Sequence, residues 1–107
     1  MEVKKLDGKK ALDEFLKNNP KAVVDFYADW CGPCKMLDPV VKQLAGEWDG
    51  KVKVVKIDAD QNPNILMQYS VLGIPTLLFF KDGEIKERVT GYMPKDKLVA
   101  KFSPHFN

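Results

Sequence analysis

The chain is poor in the residues that mark metal, nucleic-acid and membrane proteins. Its 107 residues include only two cysteines and one histidine. A structural zinc site wants four ligands of these kinds. Beyond Cys31 and Cys34 the sequence offers only His105, near the C-terminus, so no metal is expected. Arginine is nearly absent: sixteen of the seventeen basic residues are lysine, interspersed with fifteen acids to a net charge of +2. A nucleic-acid footprint would show clustered basic residues and more arginine, so no nucleic-acid partner is expected. Long apolar runs are missing as well. Met1-Glu2-Val3-Lys4-Lys5 is not followed by the apolar run of a signal peptide, and Leu77 to Phe80 is far too short to span a bilayer. No membrane contact and a cytoplasmic location are expected. With no repeat, linker or low-complexity segment, residues 1–107 read as a single domain.

What is present is ordinary for a globular protein, with 45% apolar and 30% charged residues. At this length a core can be buried without help from metals or disulfides. Val3 to Leu6 reads as a short edge strand. Asp7 is the expected N-cap of a helix with apolar positions 11, 12, 15 and 16 on one face, stopped by Asn18-Asn19-Pro20. Ala22 to Ala28 is apolar on both alternating sets apart from Asp25, as a central strand covered on two faces should be. Leu37, Val40, Val41, Leu44, Ala45 and Trp48 then follow helical spacing. Pro39 falls inside that helix and is expected to kink it, and Gly50 closes the unit.

Val52 to Asp58 is the next strand. Asn62-Pro63 reads as a cap and first helical residue of a short helix through about Tyr69. Thr76 to Phe80 and Ile85 to Thr90 flank Asp82-Gly83, a hairpin dipeptide, so these strands should be antiparallel. Gly91 breaks the second of them. Pro94 opens a last helix, whose Leu98, Val99 and Phe102 face the sheet, and Pro104 ends it. The order β-α-β-α-β-α-β-β-α predicts an α/β fold. Its five-stranded mixed sheet has parallel units, a C-terminal antiparallel hairpin, and four helices on both faces.

Both cysteines lie in Trp30-Cys31-Gly32-Pro33-Cys34-Lys35, where the central strand gives way to the long helix. Only a thiolate attacks a disulfide, and the free N–H groups and positive dipole end of a helix start stabilise one at Cys31. Cys34 lies on the same side of the first turn. Helical neighbours at this spacing have Cβ atoms about 5–6 Å apart, and a disulfide wants about 3.5–4.5 Å. A slightly tightened turn closes that gap. Gly32 and Pro33 suit it, since Pro in a first turn loses no helix bond. As a mere staple the pair would be weak, because closing a loop of four residues stabilises by only about 1.9 kcal/mol. A redox pair is the stronger reading.

With these residues in hand, the chain resembles the thioredoxin family over essentially its whole length. It carries the Trp-Cys-Gly-Pro-Cys-Lys signature at 30–35, Asp25 in the preceding strand, Pro39 in the following helix, Ile74-Pro75, the Asp82-Gly83 hairpin and Gly91. The resemblance implies the thioredoxin fold and a protein-disulfide reductase. In that mechanism Cys31 is the exposed nucleophile that forms a mixed disulfide, and Cys34 resolves it. Asp25 and Lys56 match buried positions behind the resolving cysteine. Asp25 would take its proton, with a pKa raised by desolvation, and Lys56 would be the partner of Asp25. Ile74-Pro75 resembles the family's cis-proline.

Trp30, Gly32, Pro33, Gly73, Ile74, Pro75 and Gly91 would together form a flat, mostly apolar docking surface for an extended target segment. The implied partners are disulfide-containing proteins and a thioredoxin reductase that passes on electrons from NADPH; no cofactor is bound, and the chain should be a monomer. Tyr27 stands where many members have Trp, and Tyr92 follows Gly91 where the residue is often smaller. Oxidants and isomerases of the same fold usually carry another dipeptide between the cysteines, often with His, and Gly32-Pro33 argues against that branch. A binding module with incidental redox chemistry is the other class to separate.

Overall fold

The strand that ends at the cysteines is also the middle of the sheet. The computed structural model describes residues 1–107. In chain order the elements are β1 (Lys4–Leu6), α1 (Lys9–Asn18), β2 (Lys21–Tyr27), α2 (Gly32–Glu47), β3 (Lys53–Asp58), α3 (Pro63–Gln68), β4 (Thr76–Lys81), β5 (Glu84–Thr90) and α4 (Lys95–Phe102), with a 3-10 turn at Ser103–His105. The strands form one mixed sheet in the order β1-β3-β2-β4-β5. β1 and β2 each run parallel to β3, and β4 runs antiparallel to both β2 and β5. The α/β architecture, five strands and four helices match the sequence expectation, with strand limits displaced by about one residue. No helix is long and apolar enough to cross a membrane.

Successive strand residues point to opposite faces of a sheet, and β2 buries both sets. Ala22, Val24 and Phe26 pack with Leu12 and Leu16 of α1 and Ile65 of α3 in one core. Val23 packs with Leu37, Val41 and Leu44 of α2 and with Leu98 and Phe102 of α4 in the other. Thus α1 and α3 cover one face, and α2 and α4 cover the other. The same alternation puts Asp25 on the Val23 side, beneath α2. On β3 it puts Lys56 on the side of Val54, which packs against that same core. Asp25 lies opposite Lys56 across the β2–β3 ladder and opposite Leu77 across β2–β4. The site depends on that shared face.

The β4–β5 hairpin turns through Asp82 and Gly83, both at positive φ (53° and 82°), as a two-residue turn with the strands' twist requires. Two local expectations need correction. Asp7 does not cap α1: Gly8, with φ 91°, occupies the N-cap and brings no side-chain oxygen. Asn62 stands at the N-cap of α3, but its side chain does not cap that helix. Instead its Oδ1 accepts from the Gly8 N–H at 2.9 Å, and its Nδ2 donates to Asp7 Oδ1 at 3.2 Å and to the Asp58 carbonyl at 2.9 Å. A buried amide that can both donate and accept thus ties two loops together, and both capping groups are spent on that tie. As expected, α4 ends just before Pro104, at Phe102, and Pro104 lies in the 3-10 turn that follows, where a fixed φ near −65° is compatible.

Candidate active site

β2 stops at Tyr27, and a tight turn carries the chain into α2. The Cys31 N–H donates to the Ala28 carbonyl at 3.2 Å. Cys31 is the N-cap of α2, with an extended backbone (φ −86°, ψ 110°), and Pro33 sits in the first turn. Cys31 and Cys34 are joined as a disulfide with Cα atoms 5.2 Å apart. The Cys34 N–H donates to Cys31 Sγ at 3.2 Å. In the reduced protein that sulfur is a thiol or thiolate, and the same N–H then faces the developing negative charge.

The two cysteines line different spaces. Cys31 lines a groove with Trp30, Gly32, Pro33, Gly73 and Ile74, five of the residues expected to dock targets. Cys34 lines a separate cavity with Asp25, Asp38 and Lys56. The expectation of an exposed nucleophile needs correction: Cys31 is only 4% exposed. It packs with Ala28 and Cys34 in a small apolar cluster flanked by Tyr27 and Ile74, and both cysteines are buried. Pro75 and Gly91 do not line the groove. The Gly91 N–H donates to the Pro75 carbonyl at 2.8 Å, and the Ile74–Pro75 peptide bond is cis.

Asp25 is 4% exposed, and its Oδ1 has no hydrogen-bond partner. Burial pushes its carboxyl up to about 7; the nearby Asp38 carboxylate adds to the rise, and the Lys56 ammonium opposes it. Lys56 was expected to pair with Asp25, and it does not form an ion pair. Its Nζ lies 5.1 Å from the centroid of the Tyr27 ring. An ammonium at the cavity mouth keeps some hydration and gains the aromatic face, whereas following Asp25 inward would desolvate both charges. Lys56 therefore acts on Asp25 as a charge across the cavity.

Three residues at the site carry no signal that the sequence reading used. Asp38 could have been found by helical spacing, since it lies four residues after Cys34 and so on the same face of α2. Asp60 accepts a hydrogen bond from Trp30 Nε1 at 2.8 Å, which fixes the orientation of an indole whose residue is 69% exposed. Leu72 lines the groove and is 98% exposed. Neither periodicity nor a motif marks those last two, because tertiary contact alone brings their loops to the cysteines.

Known proteins share the fold and nearly half of the aligned sequence. A family model described as Thioredoxin matches residues 2–103. The chain is similar to a thioredoxin from Staphylococcus epidermidis, with 49% identity over 83 residues, 78% of this chain and 80% of that protein. A thioredoxin from Staphylococcus haemolyticus is 46% identical over 93 residues, 87% of this chain and 88% of the relative. Among solved structures, a mutant thioredoxin from Halobacterium salinarum superposes with a TM-score of 0.84 at 44% identity, covering 91% of this chain and 84% of that one. Mitochondrial thioredoxin 3 from Saccharomyces cerevisiae, in its oxidized form, gives 0.85 at 34% identity, covering 94% of each chain.

Proposed function

This chain belongs to the thioredoxin family, and from that premise we propose how its residues divide the work. The protein is a dithiol/disulfide oxidoreductase that reduces protein disulfides by thiol–disulfide exchange through a reversible Cys31–Cys34 disulfide. One observation carries the division of roles: the two cysteines of that disulfide line different spaces, Cys31 a groove and Cys34 a cavity holding a buried acid.

In the reduced protein the Cys31 thiolate attacks a sulfur of the target disulfide. The target S–S bond breaks, its leaving thiolate takes up a proton, and Cys31 is held in a mixed disulfide. The Cys34 thiol then gives its proton to Asp25 and attacks Cys31 Sγ. The second target sulfur leaves as thiolate, and the internal disulfide is restored. Two electrons have passed to the target. A carboxyl pushed up to about 7 suits this transfer, because a base tuned near the working pH is both available and basic enough. Lys56 modulates Asp25 from the cavity mouth. Trp30, Gly32, Pro33, Gly73 and Ile74 hold an extended target segment, while Pro75 and Gly91 shape the backbone beside it. The oxidized protein is recharged by a thioredoxin reductase using NADPH, and it works as a cytoplasmic monomer of one domain spanning residues 1–107.

Insulin reduction with dithiothreitol as electron source tests the first step. Wild type should accelerate precipitation of the insulin chains, and Cys31→Ser should fall to the rate of dithiothreitol alone. A Cys31→Ser variant that kept catalysing would remove Cys31 as the nucleophile.

A further inference from the structure

The cavity behind Cys34 holds a second carboxylate that the resolving step does not use. Asp38 lies on α2, one helical turn after Cys34, and lines this cavity together with Asp25. Its Oδ2 is 3.1 Å from Nζ of Lys42, one further turn along, and both side chains are a little over one-third exposed. The carboxylate therefore has one edge toward a half-solvated counter-ion and shares the cavity with a buried acid that has an unpartnered oxygen. The other groups around Asp25 are few. Tyr27 and Asp29 lie on its own strand and the turn after it, Cys34 and Lys35 on α2, and Lys56 on β3. From β4 the register neighbour is Leu77, which is apolar. The cation on β3 is turned onto the Tyr27 ring, and Asp38 faces the cavity that Asp25 also lines.

We propose that Asp38, with its Lys42 counter-ion, is an electrostatic positioning residue for the resolving step, acting on Asp25 across the cavity that both carboxylates share. A like charge favours the neutral acid, and Lys42 screens that charge by an amount that depends on how closely it pairs. The Asp38–Lys42 pair thereby sets the pH range over which Asp25 can accept the proton of Cys34. This rests on Asp25 being that acceptor, so the test separates the two claims.

NMR titration of the Asp25 carboxyl carbon in the oxidized protein reads the coupling without catalysis. Asp38→Asn should lower the Asp25 midpoint, Lys42→Gln should raise it, and the double variant should behave as Asp38→Asn. Opposite signs are the signature of charge, since both positions are surface-accessible and a packing disturbance has no reason to reverse. Unmoved midpoints, or two shifts of the same sign, overturn the proposal. In single-turnover reduction of insulin the acid limb should follow: on the limb at pH 6, Asp38→Asn should resolve about twofold faster or more, and Lys42→Gln slower by a similar factor. In an Asp25→Asn background Asp38→Asn should change nothing further; a persisting shift means Asp38 acts by another route and also overturns the proposal. If Asp25→Asn by itself leaves the resolving rate untouched, Asp25 is not the acceptor, and the titration still decides the coupling.

Discussion

At the scale of single residues, burial gives Asp25 a pH dependence that an exposed carboxyl would lack. Its carboxyl rises from 3.8 to about 7, mainly because burial disfavours the charge. Between those values the folded protein holds a proton that the unfolded chain has released. Its contribution is therefore fully present below about pH 4 and is lost as pH rises through about 7. The size is roughly 4 kcal/mol, from the shift at about 1.4 kcal/mol per unit. Asp25→Asn removes this dependence. Chemical denaturation should show the variant gaining on wild type between pH 4 and pH 8 by up to about 4 kcal/mol, and identical pH profiles for the two would refute the assignment. The same variant should resolve mixed disulfides about a hundredfold more slowly, the low end for loss of a positioned proton acceptor. The acid itself was legible as the single polar residue in an apolar strand. Its isolation from Lys56 was not, because strand register sets two residues opposite without saying where a long, flexible ammonium comes to rest.

At the scale of elements, the start of α2 and the β4–β5 turn are built by short-range rules, and both were readable from sequence. Cys31 as N-cap and Pro33 in the first turn follow from the strand-to-helix switch around the hexapeptide. Asp82-Gly83 announced the hairpin. Gly83 has φ 82°, and no heavy atom lies within 4 Å of where a Cβ would stand. Gly83→Ala should therefore cost only the left-handed backbone penalty, about 1–2 kcal/mol, seen as a lower denaturation midpoint with insulin reduction unchanged. A neutral result would mean the turn relaxes to another form. The loops joined by Asn62 behave differently. Its amide bonds Gly8 and Asp7, residues more than fifty positions away, and no local pattern encodes that. Asp7 misses the N-cap of α1, and Asn62 holds the N-cap position of α3 without a side-chain cap, for one reason: each side chain found a long-range partner instead of its own helix.

At the scale of the whole molecule, the fold places a cavity with a buried acid beside Cys34 and a groove beside Cys31, the division on which the proposed roles rest. β2 delivers Asp25 beneath α2, and the segment before β4 brings Leu72, Gly73 and Ile74 against Trp30 across the groove. Leu72 is almost fully exposed on the groove rim, so it contributes little to folding, and the proposed docking surface gives it a target to meet. Leu72→Glu should leave the thermal midpoint where it is and raise KM for insulin about fivefold with kcat held, the equivalent of roughly 1 kcal/mol of apolar contact. A loss of stability without a change in KM would place Leu72 in the fold and not in the groove. Hydrophobic periodicity was enough to foresee the mixed five-stranded sheet and the helices on both its faces. The composition of the groove rim was not foreseeable, since exposed residues carry no periodic signal and only the folded chain brings residues 30, 60 and 72 together.

The unequal roles of the two cysteines are tested most directly by trapping. Cys34→Ser protein, reduced and mixed with a disulfide-containing target, should stall as a stable covalent complex, and peptide mass spectrometry should map the cross-link to Cys31 alone. Prompt release of the target by Cys34→Ser, or a cross-link found at Cys34 when Cys31→Ser is used in its place, would contradict a mechanism in which the groove-lining sulfur attacks and the cavity-lining sulfur resolves.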